Sequence, residues 1–447
     1  MRTFESIALG IPDILLPKAG TDLSKWAVIA CDQYTSEPAY WDKAAAFIGD
    51  APSTLGLIYP EVYLNEPEAE KNARINRIRA TMARYFAQNL FESAEGLVYV
   101  ERTTSGKTRK GLIAALDLDN YDYRKGSTTL IRATEGTIIE RIPPRVRIRE
   151  GAPMEIPHIM VLIDDPAGEV IGPLTAGKAK MPKLYDFELM LGSGHLAGYR
   201  VADRGLEEGI VRGLAKLADP RAYAAKYGLK EGTPVLLYAM GDGNHSLATA
   251  KTIWEKTKES AANKVSVMNS PLRYAIVELV NIHDEALFFE PIHRVLFDLA
   301  PGRNLIEELK AFYGGKVRFE SSCCPKMMKA AVDKQPGPAH RVGLISPEGI
   351  GVLEIEPSGS NLPVGTLQNF LDVFLKSKGA REIDYVHGTD IVTTLGEKPG
   401  NMGFYLAGMR KTDLFKTVIL DGALPRKTFS MGEAWEKRFY MEGRKLS

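Results

Sequence analysis

The sequence predicts an α/β protein with mixed sheets, in an α+β arrangement of at least two domains. Three observations predict it. Apolar runs of strand length recur along the chain, amphipathic helical stretches stand between them, and the run at 235–240 passes through a glycine turn into a helix. Taken in order, the first 60 residues carry short strands near 26–31 and 57–58. Residues 66–92 space Ile75, Ile78, Met82, Tyr85 and Phe86 for one buried helical face. Apolar runs at 97–100 and 112–116 flank Thr104-Ser105-Gly106-Lys107-Thr108, the pattern of a hairpin. Its Gly-Lys-Thr is not a phosphate loop. Position 101 is Glu where that loop needs its first glycine, and a strand follows instead of a helix.

A strand is expected at 156–163, closed by Asp164-Asp165-Pro166, and helices at 204–227. After the glycine turn comes a strand at 273–280. Helical stretches at 305–313, 326–332 and 363–378 alternate with strands at 342–345 and 352–355. The tail from 418 onward is dense in charged and aromatic residues. Polarity rises at 258–272, which sets a division into domains of 1–258 and 272–447.

Bulk properties exclude several classes. Lys plus Arg is 57 and Asp plus Glu is 56, so no global basic field favours nucleic acid or an anionic membrane. No apolar run approaches the ~18 residues that span a bilayer. The N-terminal residues lack the apolar core of a signal peptide, and three cysteines cannot build a secreted disulfide framework. The cytoplasm is the expected compartment, and a homo-oligomer is compatible with the chain. Cys323 and Cys324 are adjacent with His340 as the nearest histidine, which argues against zinc there.

The segment Gly241-Asp242-Gly243-Asn244-His245-Ser246 is the most informative. The first amides of a helix have no internal partner and the helix dipole adds positive charge there, so a strand, glycine turn and helix start together form an anion site. Gly241 and Gly243 allow close backbone approach. Asn244 is the expected N-cap, with the helix beginning at Leu247. Asp242 and His245 stand beside the pocket for acid–base or metal work. A purely structural capped turn is the alternative. A carboxylate beside a phosphate repels it unless a cation or proton intervenes, which favours Mg²⁺ or a hydroxyl substrate near Asp242; such an ion needs only one or two carboxylates.

Pro143-Pro144 predicts an extended continuation, in which Arg145, Arg147 and Arg149 line one face. Three guanidiniums in a row suit phosphate or carboxylate; a solvated edge strand is the alternative. Glu135, Glu140 and Arg141 precede them as a candidate base and ion-pair partners. His158 is expected mid-strand as a satisfied buried histidine. His195, in Gly192-Ser193-Gly194-His195, is expected in a flexible loop able to cover a ligand, and it is no nucleophile elbow. His293-Arg294 follows a proline at a place suited to an anion contact.

Several segments together resemble the prokaryotic domain of unknown function 1015 family over nearly the whole length. They are Gly111-Leu112-Ile113-Ala114, Asp119-Asn120-Tyr121, Glu135 with Thr137, Asp242-Gly243-Asn244-His245, Pro291-Ile292-His293-Arg294 and Pro425-Arg426-Lys427-Thr428. The family's central motif, Asp-Gly-His-His-Arg, is similar to the phosphate-binding turn of the ParB/sulfiredoxin-like superfamily. That group includes nucleotide-hydrolysing partition proteins, sulfiredoxin and kinases of free serine. The resemblance implies a ParB/sulfiredoxin-like core in 1–258 and a second α/β domain in 272–447 contributing His293, Arg294 and Lys427. It implies Asp242, His245 and Glu135 as catalytic groups. Gly241, Gly243, Asn244, Ser246, Arg141, Arg145, Arg147 and His195 would contact phosphate or substrate.

The activity so implied is a nucleotide- and Mg²⁺-dependent phosphotransferase using ATP or ADP on a small hydroxy compound, with serine or phosphoserine leading. Fold-level analogy does not fix function. The sequence also departs from the motif: Asn244 replaces its first histidine, Ser246 its arginine, and Thr134 a histidine many relatives carry before Glu135. The phosphate cation must then come from Lys251, Arg141, Arg294 or Lys427. The competing reading is a ParB-like nucleotide-binding regulatory or nucleic-acid-associated module, against which stand the net charge of +1 and the lack of a helix-turn-helix. A hydrolase using Ser193 and His195 ranks last, since no orienting acid pairs with them in sequence.

Overall fold

A computed structural model describes residues 1–335, 337–356 and 359–446. The fold is α/β, with parallel and antiparallel pairs mixed in one large sheet. The chain forms two compact units, Met1–Leu287 with Glu433 onward, and Phe288–Gly432. The division therefore falls beyond the polar 258–272 segment. The physical reason is the Tyr274–Asn281 strand, which pairs on both sides within the first unit's sheet.

The first unit is built on an 11-stranded sheet. Its main path runs Lys183–Glu188, His195–Val201, Leu97–Thr104, Lys107–Asp117, Tyr274–Asn281, Met160–Ile163, Tyr238–Asp242, Ile131–Arg132 and Tyr121–Asp122. Both faces are covered, which explains the unbroken apolar runs. Leu97, Tyr99, Leu112 and Ala114 pack on one face with Leu247 and Trp254. Val98, Val100, Ile113 and Ala115 pack on the other with Trp26, Trp41 and Ile75. The expected hairpin forms through Ser105-Gly106, whose φ values of 49° and 75° suit a two-residue turn of the right twist. The long helix is Glu68–Ala87, burying Ile75, Ile78, Met82 and Tyr85.

A buried ionic cluster crosses the sheet's second face. Glu278, 2% exposed, lies 3.3 Å from Arg109 and 3.1 Å from Arg438. Arg438 also reaches Glu442 at 2.8 Å, and Glu442 accepts a hydrogen bond from Tyr185.

The second unit holds a six-stranded antiparallel sheet in the order Val317–Ser322, Gly349–Ile355, His340–Ser346, Met402–Tyr405, His293–Leu299, Ala380–Val386. Leu305–Phe312, Pro325–Lys334 and Pro363–Lys376 are the expected helices. Among the described residues no helix is long and apolar enough to cross a membrane.

Three local expectations are corrected. Residues 142–149 are not extended; Ile142–Arg149 is a helix with Pro143 and Pro144 in its first turn. Proline is tolerated there because those amides have no intrahelical acceptor to lose. His158 precedes the Met160–Ile163 strand instead of lying within one. His195 opens a strand instead of a loop, paired with Thr103 on one side and Glu188 on the other. The alternation of His195-Leu196-Ala197-Gly198-Tyr199 suits that strand, and Gly194 (φ 88°) leaves room for the Thr103 carbonyl.

Candidate functional site

The glycine turn lies where the Tyr238–Asp242 strand runs into the Asn244–Ser260 helix. Gly243, not Asn244, takes the cap position, with φ 78°. A side chain there would press on the Ile159 backbone at 3.1 Å, so the position favours glycine on two counts. Asn244 becomes the first helical residue, three earlier than the periodicity suggested, because the apolar face starts only at Leu247. No side chain caps this helix. Its first amides are left for an outside acceptor.

Other segments of the first unit close around this start. The Gly243 amide donates to Asp242 Oδ1 at 2.9 Å, and Lys437 Nζ lies 3.2 Å from Asp242 Oδ2. Thr134 donates its hydroxyl to the Met240 carbonyl at 2.7 Å, which fixes the segment where Glu135 follows. The 142–149 helix packs Ile142 and Val146 against Ala248 and Ile253 of the site helix. Its Arg145 Nε donates to Glu61 at 2.9 Å and its Nη1 to the Arg141 carbonyl at 2.7 Å. Burial first, then Arg145 and Arg141, push the His245 imidazole down to about 4, against the opposing charge of Asp32. His245 is therefore neutral at neutral pH. Its Nε2 and the Asn244 Oδ1 are both buried without a hydrogen-bond partner. Orphaned polar atoms of this kind are rare without a ligand or water to meet them.

A second polar chain adjoins it. His158 Nε2 is 3.4 Å from Asp32 Oδ2, and its Nδ1 is 2.8 Å from Tyr440 Oη. The Cys31 amide donates to Tyr440 Oη at 3.2 Å. Burial works against a charged His158, but the charge and hydrogen bond of Asp32, then Asp242 and Glu61, raise its pKa. Burial likewise opposes the Asp32 charge, and His158 together with Gln33 and Lys437 outweighs it, holding that carboxyl low.

These geometries sort the expected residues. Gly241, Asp242, Gly243, Asn244, His245 and Ser246 come together with Arg141, Arg145 and the Glu135 segment. Arg147 instead points to Glu68 at 2.6 Å, and Arg149 pairs with Glu155. Lys251 is committed to the Leu118 carbonyl at 2.8 Å and to Glu255. His195 bonds Asp186 at 2.7 Å, on a strand separated from the site strand by four others, about 24 Å at strand spacing.

His293, Arg294 and Lys427 belong to the second unit. Arg294 is fully buried and spends its donors on Gln368 at 3.2 Å, the Ile292 carbonyl, and the carbonyls of Arg426 and Lys427 at 3.0 and 2.9 Å. It braces the Pro425–Thr428 turn, whose Lys427 side chain is exposed. Asp32, Glu61, Lys437 and Tyr440 were not anticipated, and His158 was expected only as a satisfied buried histidine. They come from segments as far apart in sequence as Asp32 and Tyr440, and only the charged, aromatic tail hinted at Lys437 and Tyr440.

Mg²⁺ was expected on Asp242. Among the described residues no three His, Cys, Asp or Glu side chains are grouped to hold a metal. Asp242, Glu61 and Asp32 each already face a basic partner, Lys437, Arg145 and His158. This donor set does not fit a resident metal ion.

The chain belongs to the DUF1015 family of proteins of unknown function, whose sequence profile matches residues 15–374. A search of curated proteins finds no match. Among solved structures the chain is similar to a free serine kinase (E30A mutant) in complex with AMP, with 10% identity and TM-score 0.39, over 75% of this chain and 92% of that one. A conserved hypothetical protein from Pyrococcus furiosus matches at 12% identity and TM-score 0.35, over 75% and 95%. C-terminally truncated SbnI from Staphylococcus aureus matches at 9% identity and TM-score 0.32, over 74% and 81%.

Proposed function

We propose that the 241–246 turn is the phosphate site of a nucleotide-dependent phosphotransferase acting on a small hydroxy compound, with serine or phosphoserine the first candidates. The observation that carries this reading is the uncapped helix start with two unpartnered polar atoms, Asn244 Oδ1 and His245 Nε2, beside Arg141 and Arg145. The amides of residues 244–246 and the arginines would hold phosphate oxygens by positioning and charge, the main resources of phosphoryl transfer. Lys437 neutralises Asp242 and removes its repulsion for an anion. A pKa near 4 makes His245 a weak base but a good neutral hydrogen-bond donor or acceptor. Proton acceptance from the hydroxyl is therefore assigned to Glu135. Any divalent cation would arrive with the nucleotide, and no step here depends on it.

Thermal-shift titration with inorganic phosphate, AMP, ADP and ATP, with and without Mg²⁺ and serine, tests the reading. A bound ligand raises the melting temperature by mass action. No rise with phosphate or any nucleotide would remove the anion site. Given turnover, Glu135→Gln should abolish it with the fold intact; full activity in that variant would end the proton-accepting role assigned to Glu135.

The electrostatic picture has its own check. In Arg145→Met one depressing charge is gone, so His245 should titrate above its value of about 4, moving toward 6.5. Imidazole NMR shifts read this directly. An unchanged titration would mean that the Arg145 charge does not depress it.

A further inference from the structure

We propose that Cys323 and Cys324 are a vicinal dithiol that a hydroperoxide oxidises reversibly to a disulfide, a modification site in the second unit separate from the phosphate turn. The two sulfurs lie 3.8 Å apart, with the Cys323 thiol donating to Cys324 Sγ. Cys323 is exposed and Cys324 half-buried, so a small oxidant reaches both. Cys324 stands at the start of the ten-residue Pro325–Lys334 helix. The Met327 amide first, then the Cys323 thiol, with the Lys326 amide and charge, lower its pKa; the same pairing raises that of Cys323. The two sulfurs are thus differentiated into a nucleophile and a resolving thiol, the arrangement of oxidation-sensitive cysteines. Cys31 differs: burial, then Asp32 and Glu61, hold its thiol far above the ordinary range.

The chemistry balances in two steps. The Cys324 thiolate attacks one peroxide oxygen, the O–O bond breaks, and an alcohol or water departs with a proton, leaving a sulfenic acid. Cys323 sulfur then attacks Cys324 sulfur, the S–O bond breaks, and water leaves with the Cys323 proton. Two thiols are oxidised by two electrons in all, and one hydroperoxide is reduced by two. Neighbouring Cα atoms sit ~3.8 Å apart across a trans peptide, below the usual ~4.4–6.8 Å disulfide window, so the bond would be easily reduced again. Closure would pull Cys324 away from a helix that buries Met328 and Val332 and sets Lys329 and Asp333 2.5 and 2.8 Å from Tyr405 Oη.

The experiment treats the full chain with one equivalent of hydrogen peroxide, then maps alkylated peptides by mass spectrometry. The expected result is a two-hydrogen mass loss confined to the peptide holding both cysteines, restored by dithiothreitol, with Cys31 still alkylated. Cys323→Ser should lose the crosslink and accumulate a Cys324 sulfenic acid that dimedone traps. Cys324→Ser should lose both. Two alkylatable thiols after peroxide, or oxidation at Cys324 to sulfinic acid without a crosslink in the unaltered chain, would overturn the proposal. Cys323 is exposed and Cys324 half-buried, so circular dichroism checks that both variants fold.

Discussion

Replacing Glu278 with alanine lowers the stability of the first unit by about 3–5 kcal/mol, the range for breaking a buried ion pair from one side. The carboxylate is 2% exposed and neutralises Arg109 and Arg438 in the middle of the sheet. Without it Arg109 loses its buried partner and Arg438 keeps only Glu442, while Arg102 adds a third positive charge nearby. Burial, then Arg109, already depress Arg102 to about 9, with Glu278 working the other way. Glu278→Gln keeps an acceptor and should cost less. All four tryptophans, Trp26, Trp41, Trp254 and Trp435, belong to the first unit. Urea unfolding followed by their fluorescence therefore reads this unit alone. A loss under about 1 kcal/mol would show that water relieves the stranded charges.

The second large effect is acid sensitivity in the other unit. His293 is 2% exposed, stacks on Tyr405 at 4.7 Å and accepts the Leu406 amide on Nδ1 at 3.2 Å. Burial, then Arg294, Lys329 and His387, push it from 6.5 down to about 4. A histidine held neutral when folded but protonated when unfolded favours folding fully above pH 6.5. Its contribution falls as the pH drops from 6.5 to about 4, then levels off. At ~1.4 kcal/mol per pH unit the loss is about 3 kcal/mol. His340, lowered by burial, adds in the same direction. The second unit has no tryptophan, so native-state hydrogen exchange of the Met402–Tyr405 strand is the measurement. A flat profile across that window would refute the assignment, and His293→Gln should shrink the dependence to what His340 contributes.

Much of the fold was legible because local rules governed it. The 97–117 hairpin, the 68–87 helix and the strand–glycine–helix unit follow from periodicity and turn chemistry. The arginine segment failed for an instructive reason. Pro143-Pro144 stops a helix arriving from before it but suits the first turn of one starting there, and sequence alone does not say which. The site was legible only at Gly241–Ser246 and Arg141–Arg145. Asp32, Glu61 and Lys437 each look like ordinary surface charge in sequence, and His158 like a satisfied buried histidine. Their meaning comes from strand order, and no local pattern encodes it. The expected contact role of Arg294 fell to a need hidden in sequence: its donors hold up a turn 132 positions away.

The return of the chain to the first unit after Gly432 gives the site a timing. Lys437 and Tyr440 are supplied by chain that is made only after the second unit is complete in sequence. During synthesis the turn at Asp242 therefore waits for nearly two hundred residues before it receives its lysine. A nascent or clipped chain ending before Glu433 carries the glycine turn but leaves Asp242 without Lys437. Under the proposed reading such a chain repels the anion it should hold, and competence of the turn then reports that the tail has been made and docked.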